Sequence, residues 1–329
     1  MRFVPDHRRE ALSETQYAER IAQIGAMLEP CTERGFWMAA DGCRLYRVFS
    51  RAENARASVV LVHGFTEFSE KLTELRWLLL RQGYNVLCYD ARGHGLSDRP
   101  VDDLQLTHVE RFSDYTDDLD GLLRTFLLPR TEGLPVYLYG HSMGGCVAAL
   151  WLERGADLVA RAVLSSPMLC PVTHGLPRRV LRAMVRKGAR DNGWAARFPF
   201  TGGFNPNPDF RLAGDASFAR FRHNMELRLA EPRYQNSSAS YRWMDEALTV
   251  QDRLLAHGAP EAVRAQVLLV SAGADHVVRR APQRRLAKRI PQCHFVSLKG
   301  AKHCLYTSAE PLLGRYFDLV LDFLAQGCK

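Results

Sequence analysis

The chain has 329 residues, 47% of them hydrophobic, and its 44 lysines and arginines against 36 aspartates and glutamates give a formal charge of +8. That length and apolar content suffice for one globular unit with a substantial core and room for an insertion. No stretch reaches the roughly 18 apolar residues of a spanning helix, and residues 1–10 are charged where a signal peptide has an apolar centre, so a cytoplasmic protein is expected.

Ser13 and Gln16 form a capping-box pattern ahead of Tyr17, Ile21, Ile24 and Leu28, whose spacing predicts a helix ending at Pro30. Residues 36–38 and 45–49 read as antiparallel strands turning at Asp41-Gly42. From Val59 onward strand and helix alternate, which predicts a doubly wound, mostly parallel α/β sheet. Its strands are expected at residues 59–62, 85–89, 136–139, 159–164, 267–270 and 294–298, and its helices at 71–82, 113–127, 144–153, 280–289 and 309–325.

The rhythm stops at residues 168–239, a stretch rich in arginine, aromatics, Gly and Pro that reads as an inserted, largely helical cap. Residues 1–167 and 240–329 are then two parts of one core. Residues 168–240 hold twelve basic side chains against five acidic ones, nearly all of the chain's excess charge. A helix over residues 177–187 sets Val180, Leu181, Met184 and Val185 on one face and Arg178, Arg179, Arg182 and Arg186 on the other. Such a helix suits peripheral contact with an anionic membrane, at the inner face of the cell membrane; equally, the arginines solvate a lid over the site. No nucleic-acid partner is expected, because no recognised module accompanies the charge.

Gly140-His141-Ser142-Met143-Gly144 follows the apolar run 136–139 and opens a helical pattern, placing Ser142 on a sharp strand-to-helix turn. A serine hydroxyl is a poor nucleophile and needs a base, a group that orients the base, and donors for the oxyanion. The run 59–62 ends in His63-Gly64-Phe65, in the position of an oxyanion loop, so the backbone N–H groups of Phe65 and Met143 are the candidate donors. The run 267–270 leads to Asp275, the candidate acid, with Asp245, Asp252 and Asp98 as weaker rivals. Residues 294–298 and the loop after them deliver His303, the candidate base; His294 lies within the strand and His276 adjoins the acid. The order Ser, Asp, His is that of an α/β-hydrolase.

Eight scattered cysteines without a C-x-x-C pair fit reduced thiols. There is no P-loop, no H-E-x-x-H and no paired-cysteine metal spacing, and Asp98 stands where a dinucleotide fingerprint begun at Gly93-His94-Gly95 needs its third glycine. Neither an organic cofactor nor a metal is expected.

Five motifs, His63-Gly64-Phe65-Thr66-Glu67-Phe68-Ser69, Asp90-Ala91-Arg92-Gly93-His94-Gly95-Leu96-Ser97, Gly140-His141-Ser142-Met143-Gly144-Gly145, Asp275-His276-Val277-Val278 and Gly300-Ala301-Lys302-His303, together resemble the bacterial lysophospholipase and monoacylglycerol lipase family of serine hydrolases, within the α/β-hydrolase superfamily. His108-Val109-Glu110-Arg111-Phe112-Ser113-Asp114-Tyr115 with Asp117-Asp118-Leu119, and Ser240-Tyr241-Arg242-Trp243-Met244, tilt the resemblance to the lysophospholipase branch. It implies cleavage of the acyl ester of a lysophospholipid or monoglyceride by Ser142, Asp275 and His303. Asp90, Arg92 and Asp117-Asp118 are expected as scaffold groups. Phe198, Phe200, Phe204, Phe210, Phe218 and Phe221 either line an acyl pocket or hold the lid together. A short-chain carboxylesterase is the alternative activity, and a non-catalytic acyl-ligand binder the alternative class.

Overall fold

The computed structural model describes residues 1–131, 133–155, 157–173 and 175–328. Helix α1 (Tyr17–Leu28) leads into the antiparallel pair β1 (Thr32–Met38) and β2 (Arg44–Ser50). Alternation follows through β3 (Ala57–Val62), α2 (Thr73–Arg81), β4 (Tyr84–Tyr89), the short β5 (Leu106–Thr107), α3 (Ser113–Gly121), β6 (Val136–His141), α4 (Met143–Leu152) and β7 (Arg161–Ser165). Helices α5 (Arg178–Asn192) and α6 (Phe218–Ala230), the short β8 (Ser238–Ala239) and α7 (Tyr241–Leu254) then intervene before β9 (Gln266–Ala272), α8 (Arg280–Arg289), β10 (Cys293–Leu298) and α9 (Leu312–Ala325).

Eight strands form one sheet in the order β1-β2-β4-β3-β6-β7-β9-β10. Strand β2 is antiparallel to both its neighbours, and every other pairing is parallel. This is the doubly wound α/β-hydrolase sheet that the alternation predicts. From β3 the chain steps to β4 on one side and later to β6 on the other, so the switch point of the topology lies beside β6, where open α/β sheets hold their ligands. Strands β5 and β8 pair separately and tie the end of the 168–239 segment to the body.

The central strands are buried on both faces, which is why they read as unbroken apolar runs. Their side chains still alternate. Val60 and Val62 enter the core shared with α3, α4, α7 and α8, whereas Val59 and Leu61 face the core shared with α1, α2 and α9. Helix α1 buries Tyr17, Ile21, Ile24 and Leu28, the face its spacing predicts, and each fully buried aliphatic contributes about 1.5–3 kcal/mol. The capping box does not form: Gln16 stands at the N-cap without a side-chain bond. The neighbouring Glu14 accepts instead from Ser217 Oγ at 2.6 Å and Ala219 N at 2.7 Å, which draws this turn toward α6.

Helix α5 departs from its expected faces. Leu181, Val185 and Ala189 pack on Tyr241 and Leu248 of α7, while Val180 and Met184 are exposed. Arg182 and Arg186 flank the packed side and both reach Asp245 of α7, at 2.8 and 3.0 Å, and Arg178 reaches Asp252 at 2.6 Å. Three of the four arginines of the expected basic face are therefore paired rather than free, because α7 supplies carboxylates that a helical wheel of α5 alone does not contain.

Candidate active site

Ser142 follows β6 immediately and begins α4, with φ +51° and ψ −114°. A non-glycine residue held there stores about 1–3 kcal/mol of strain. The surroundings leave no alternative path: a Cβ on Gly140 would stand 2.5 Å from the Gly144 carbonyl oxygen, and one on Gly144 would stand 2.1 Å from that of Val62. The spacing G-x-S-x-G is thus set by the close approach of β6, α4 and β3. Ser142 is further fixed by its N–H donating to Ser165 O at 3.0 Å and its carbonyl accepting from Met168 N at 2.9 Å.

Asp275 lies just past β9 and His303 in the loop past β10. The structure brings all three expected residues into one hydrogen-bonded line, with 2.8 Å between Asp275 Oδ2 and His303 Nδ1 and 2.8 Å between His303 Nε2 and Ser142 Oγ. Burial alone would raise the Asp275 carboxyl, but the bond and charge of His303 and the N–H groups of Val277 and Val278 hold it below the usual carboxylate range. An ionised carboxylate only accepts, so His303 carries its proton on Nδ1 and presents Nε2 as an acceptor for the serine hydroxyl. Such a line can take the serine proton and return it to a leaving group.

The rival acids are engaged elsewhere: Asp245 and Asp252 with α5, and Asp98 with Arg44 at 3.0 Å. His294 sits in β10, and His276 is exposed. Asp90 accepts from Ser69 N and Leu96 N, Arg92 joins Asp41 and Asp118, and Asp117 joins Arg154, all as braces between loops and helix ends.

A cavity of about 420 Å³ opens over Ser142. One side is apolar, with Met168, Trp243, Met244, Val277 and Val278. Phe65 also borders it, its ring 4.1 Å from that of Trp243. No backbone hydrogen bond engages the N–H of Phe65 or Met143 among the described residues. Of the six phenylalanines of the insertion, only Phe221 lines this cavity. Phe198 is buried against Tyr241, Phe210 and Phe218 cluster with Phe221, Phe204 lies over Arg228 and Phe200 is exposed.

The other side holds a buried charge cluster that sequence reasoning missed. Lys71 Nζ lies 2.8 Å from Glu67 and 3.8 Å from Asp215, Tyr306 donates to Glu67 at 2.7 Å, and Thr307 donates to Asp215 at 2.6 Å. Burial would raise the Glu67 carboxyl, yet Lys71 and the other donors hold it well below its ordinary value; burial would lower Lys71, yet Asp215 and Glu67 hold its ammonium above. His141, adjoining Ser142, is driven down to about 4 chiefly by burial and is neutral at neutral pH. The available signal was the i, i+4 spacing of Glu67 and Lys71 in the segment after β3; Asp215 had none. Glu67, His141 and Cys304 offer donor atoms within 4.8 Å of one another, but the Lys71 ammonium already occupies Glu67 and opposes a metal ion there.

The sheet order, the strained serine and the residues after β6, β9 and β10 define an α/β-hydrolase. The family profile described as "Serine aminopeptidase, S33" matches residues 53–310, and the chain belongs to that family. Lysophospholipase L2 of Escherichia coli (strain K12) is 28% identical over 288 residues, spanning 83% of this chain and 82% of the relative. The monoglyceride lipase of Homo sapiens is 31% identical over 131 residues, 40% of this chain and 41% of its own length. Among solved structures, a soluble variant of monoglyceride lipase from Saccharomyces cerevisiae in complex with a substrate analog superposes with a TM-score of 0.69 at 17% identity, covering 89% of this chain and 94% of that one, a likeness of fold.

Proposed function

We propose that the chain hydrolyses the acyl ester of a lysophospholipid or monoacylglycerol, with Ser142 as nucleophile, His303 as general base and Asp275 as the acid that orients it. The two 2.8 Å hydrogen bonds joining these groups under the cavity carry this reading. Ser142 attacks the ester carbonyl as its proton passes to His303 Nε2. The N–H groups of Phe65 and of Met143, the latter at the positive end of α4, receive the oxyanion. His303 then protonates the departing alcohol, and a water activated by the same imidazole releases the fatty acid.

The apolar side of the cavity suits the acyl chain, and the buried charge cluster faces the alcohol part of the substrate. Residues 168–239 act as the cap, since Pro208, Asp215 and the inner face of α6 border the same space. The relatives named above as lysophospholipase and monoglyceride lipase support a lipid ester as substrate. We further propose peripheral contact with anionic membrane through the outer side of α5. No described helix is long and apolar enough to cross a membrane.

Fatty-acid release from lysophosphatidylcholine and from a monoglyceride, by purified protein and by Ser142→Ala, tests the assignment. The variant is expected to lose a factor of about 10⁴ or more. Equal release by both proteins would reject it.

A further inference from the structure

The inner face of α6 presents Phe221, Asn224, Met225 and Arg228 to the cavity, the i, i+3, i+4, i+7 stripe of one helical face. Phe221 and Met225 complete the apolar lining. Asn224 and Arg228 are polar, and the protein leaves both incompletely satisfied. Asn224 Oδ1 is buried without a hydrogen-bond partner. Arg228 donates from Nε to the Tyr234 carbonyl at 3.1 Å and from Nη2 to the Asn236 carbonyl, and its Nη1 has no partner among the described residues.

Most arginines of this segment are paired, and the two that are not, Arg179 and Arg190, are exposed to solvent on α5. Arg178, Arg182, Arg186, Arg197, Arg220 and Arg233 each pair with a carboxylate. Arg228 is half-buried at the edge of the cavity and has no carboxylate partner among the described residues. The nearest candidates, Glu67 and Asp215, are committed to Lys71, Tyr306 and Thr307. Burial brings the Arg228 guanidinium down to about 10, and the charges of Asp215 and Glu67 oppose that fall without cancelling it. A half-buried cation without a counter-ion loses part of its hydration uncompensated, and a guanidinium with an open N–H matches a phosphate oxygen.

We infer that Asn224 and Arg228 form a recognition site for a glycerophosphate head group, with Arg228 Nη1 donating to a phosphodiester oxygen and Asn224 Oδ1 accepting from a glycerol hydroxyl. This rests on the lipid-ester reading above and sharpens it. A lysophospholipid supplies both the hydroxyl and the anion, whereas a monoacylglycerol supplies hydroxyls alone. Arg228 is then a residue that sets specificity between two substrates cleaved by the same serine.

The test compares wild type, Arg228→Gln and Arg228→Lys on lysophosphatidylcholine and on a monoacylglycerol of the same chain length. It also follows inhibition of p-nitrophenyl butyrate hydrolysis by glycerophosphocholine and by inorganic phosphate. Arg228→Gln is expected to lower the ratio of kcat/KM for lysophosphatidylcholine over monoacylglycerol about tenfold or more, mainly through KM, and Arg228→Lys to recover part of it. Glycerophosphocholine should inhibit wild type and lose potency against Arg228→Gln. A ratio unchanged in both variants, or an equal fall on both lipids, overturns the inference and leaves Arg228 as a brace for the carbonyls of Tyr234 and Asn236. Inorganic phosphate matching glycerophosphocholine also overturns it, in favour of a site for the free ion. Failure of the lipid-ester reading looks different: wild type then turns over the p-nitrophenyl ester and neither lipid. Should Arg228→Gln not fold, the Arg228→Lys ratio and the inhibition of wild type still decide.

Discussion

The wall of the cleft that carries Ser142, Asp275 and His303 consists of segments at the ends of the parallel strands β6, β9 and β10, whereas the other wall is a helix, α6, held to the body by ion pairs and a carbonyl contact. On the first wall backbones approach so closely that a single methyl group on Gly140 or Gly144 has no place. On the second, α6 meets the N-terminal segment and α2 through Arg220, Glu74 and Glu14, and ring contacts fill the gaps. The contrast separates two tasks. On the proposed reading, strand ends fix the reacting atoms, and the side-chain-held helix is the part that can set which alcohol group is accepted without disturbing the sheet.

The largest expected effect comes from removing the charge on the strand-end wall. Asp275→Asn keeps an oxygen for the N–H groups of Val277 and Val278, so the loop should survive while the His303 tautomer is no longer enforced. A fall in kcat of about 10³–10⁴ is expected, with an unchanged melting profile. Full activity in this variant would move the acid elsewhere, although Asp245 and Asp252 are already bound to α5.

Next in size is a change on the second wall that acts on stability. Glu74 Oε1 lies 2.6 Å and Oε2 2.8 Å from the Arg220 guanidinium, whose side chain is only 3% exposed, and Leu12 O accepts a third bond. Glu74→Ala strands this buried cation and is expected to cost about 3 kcal/mol in urea denaturation. The double variant Arg220→Met with Glu74→Leu should recover much of the loss, because burying two apolar groups avoids the desolvation of both charges. A single variant as stable as wild type would mean that ring contacts alone hold α6 to the body.

How far each wall was legible in the sequence follows from the same contrast. The sharp turn at Ser142, the loop after β3 and the order of acid and base are encoded within a few residues of each strand end, where local sterics leave one solution. Asp275 and His303 are 28 residues apart yet meet at 2.8 Å because β9 and β10 are neighbours in the sheet, which the strand and helix pattern predicts. The second wall depends on partners from distant segments. The wheel of α5 placed Arg182 and Arg186 on an outer face because Asp245 is more than 50 residues away. The capping box at Ser13 does not form because the helix starts only at Tyr17, with Gln16 at its N-cap, while the adjoining Glu14 is bonded to Ser217 of a distant segment. Arg228 carried no local mark either; it is distinguished by facing the cavity without a carboxylate partner among the described residues, whereas Arg179 and Arg190, which also have none, are exposed on α5.

The smallest expected effect concerns the outward side of α5 and the turn before it, where Val180 and Met184 of the helix and Leu176 of the turn are 47%, 43% and 43% exposed. With Arg178, Arg182 and Arg186 drawn to α7, Arg179 and Arg190 remain there without a carboxylate partner among the described residues, and Lys187 is offset by Asp191. Attraction to an anionic bilayer is therefore that of about two charges, at about 1 kcal/mol each, rather than that of twelve. Cosedimentation with phosphatidylserine-containing vesicles should be weak and fall only several-fold between low and physiological salt. The double variant Val180→Ser with Met184→Ser should reduce it by a further factor of about ten, since apolar area rather than charge then carries most of the contact. Binding that ignores both the anionic lipid and these two side chains would make the cap a lid and nothing more, and would leave lipid substrates to reach Ser142 from solution.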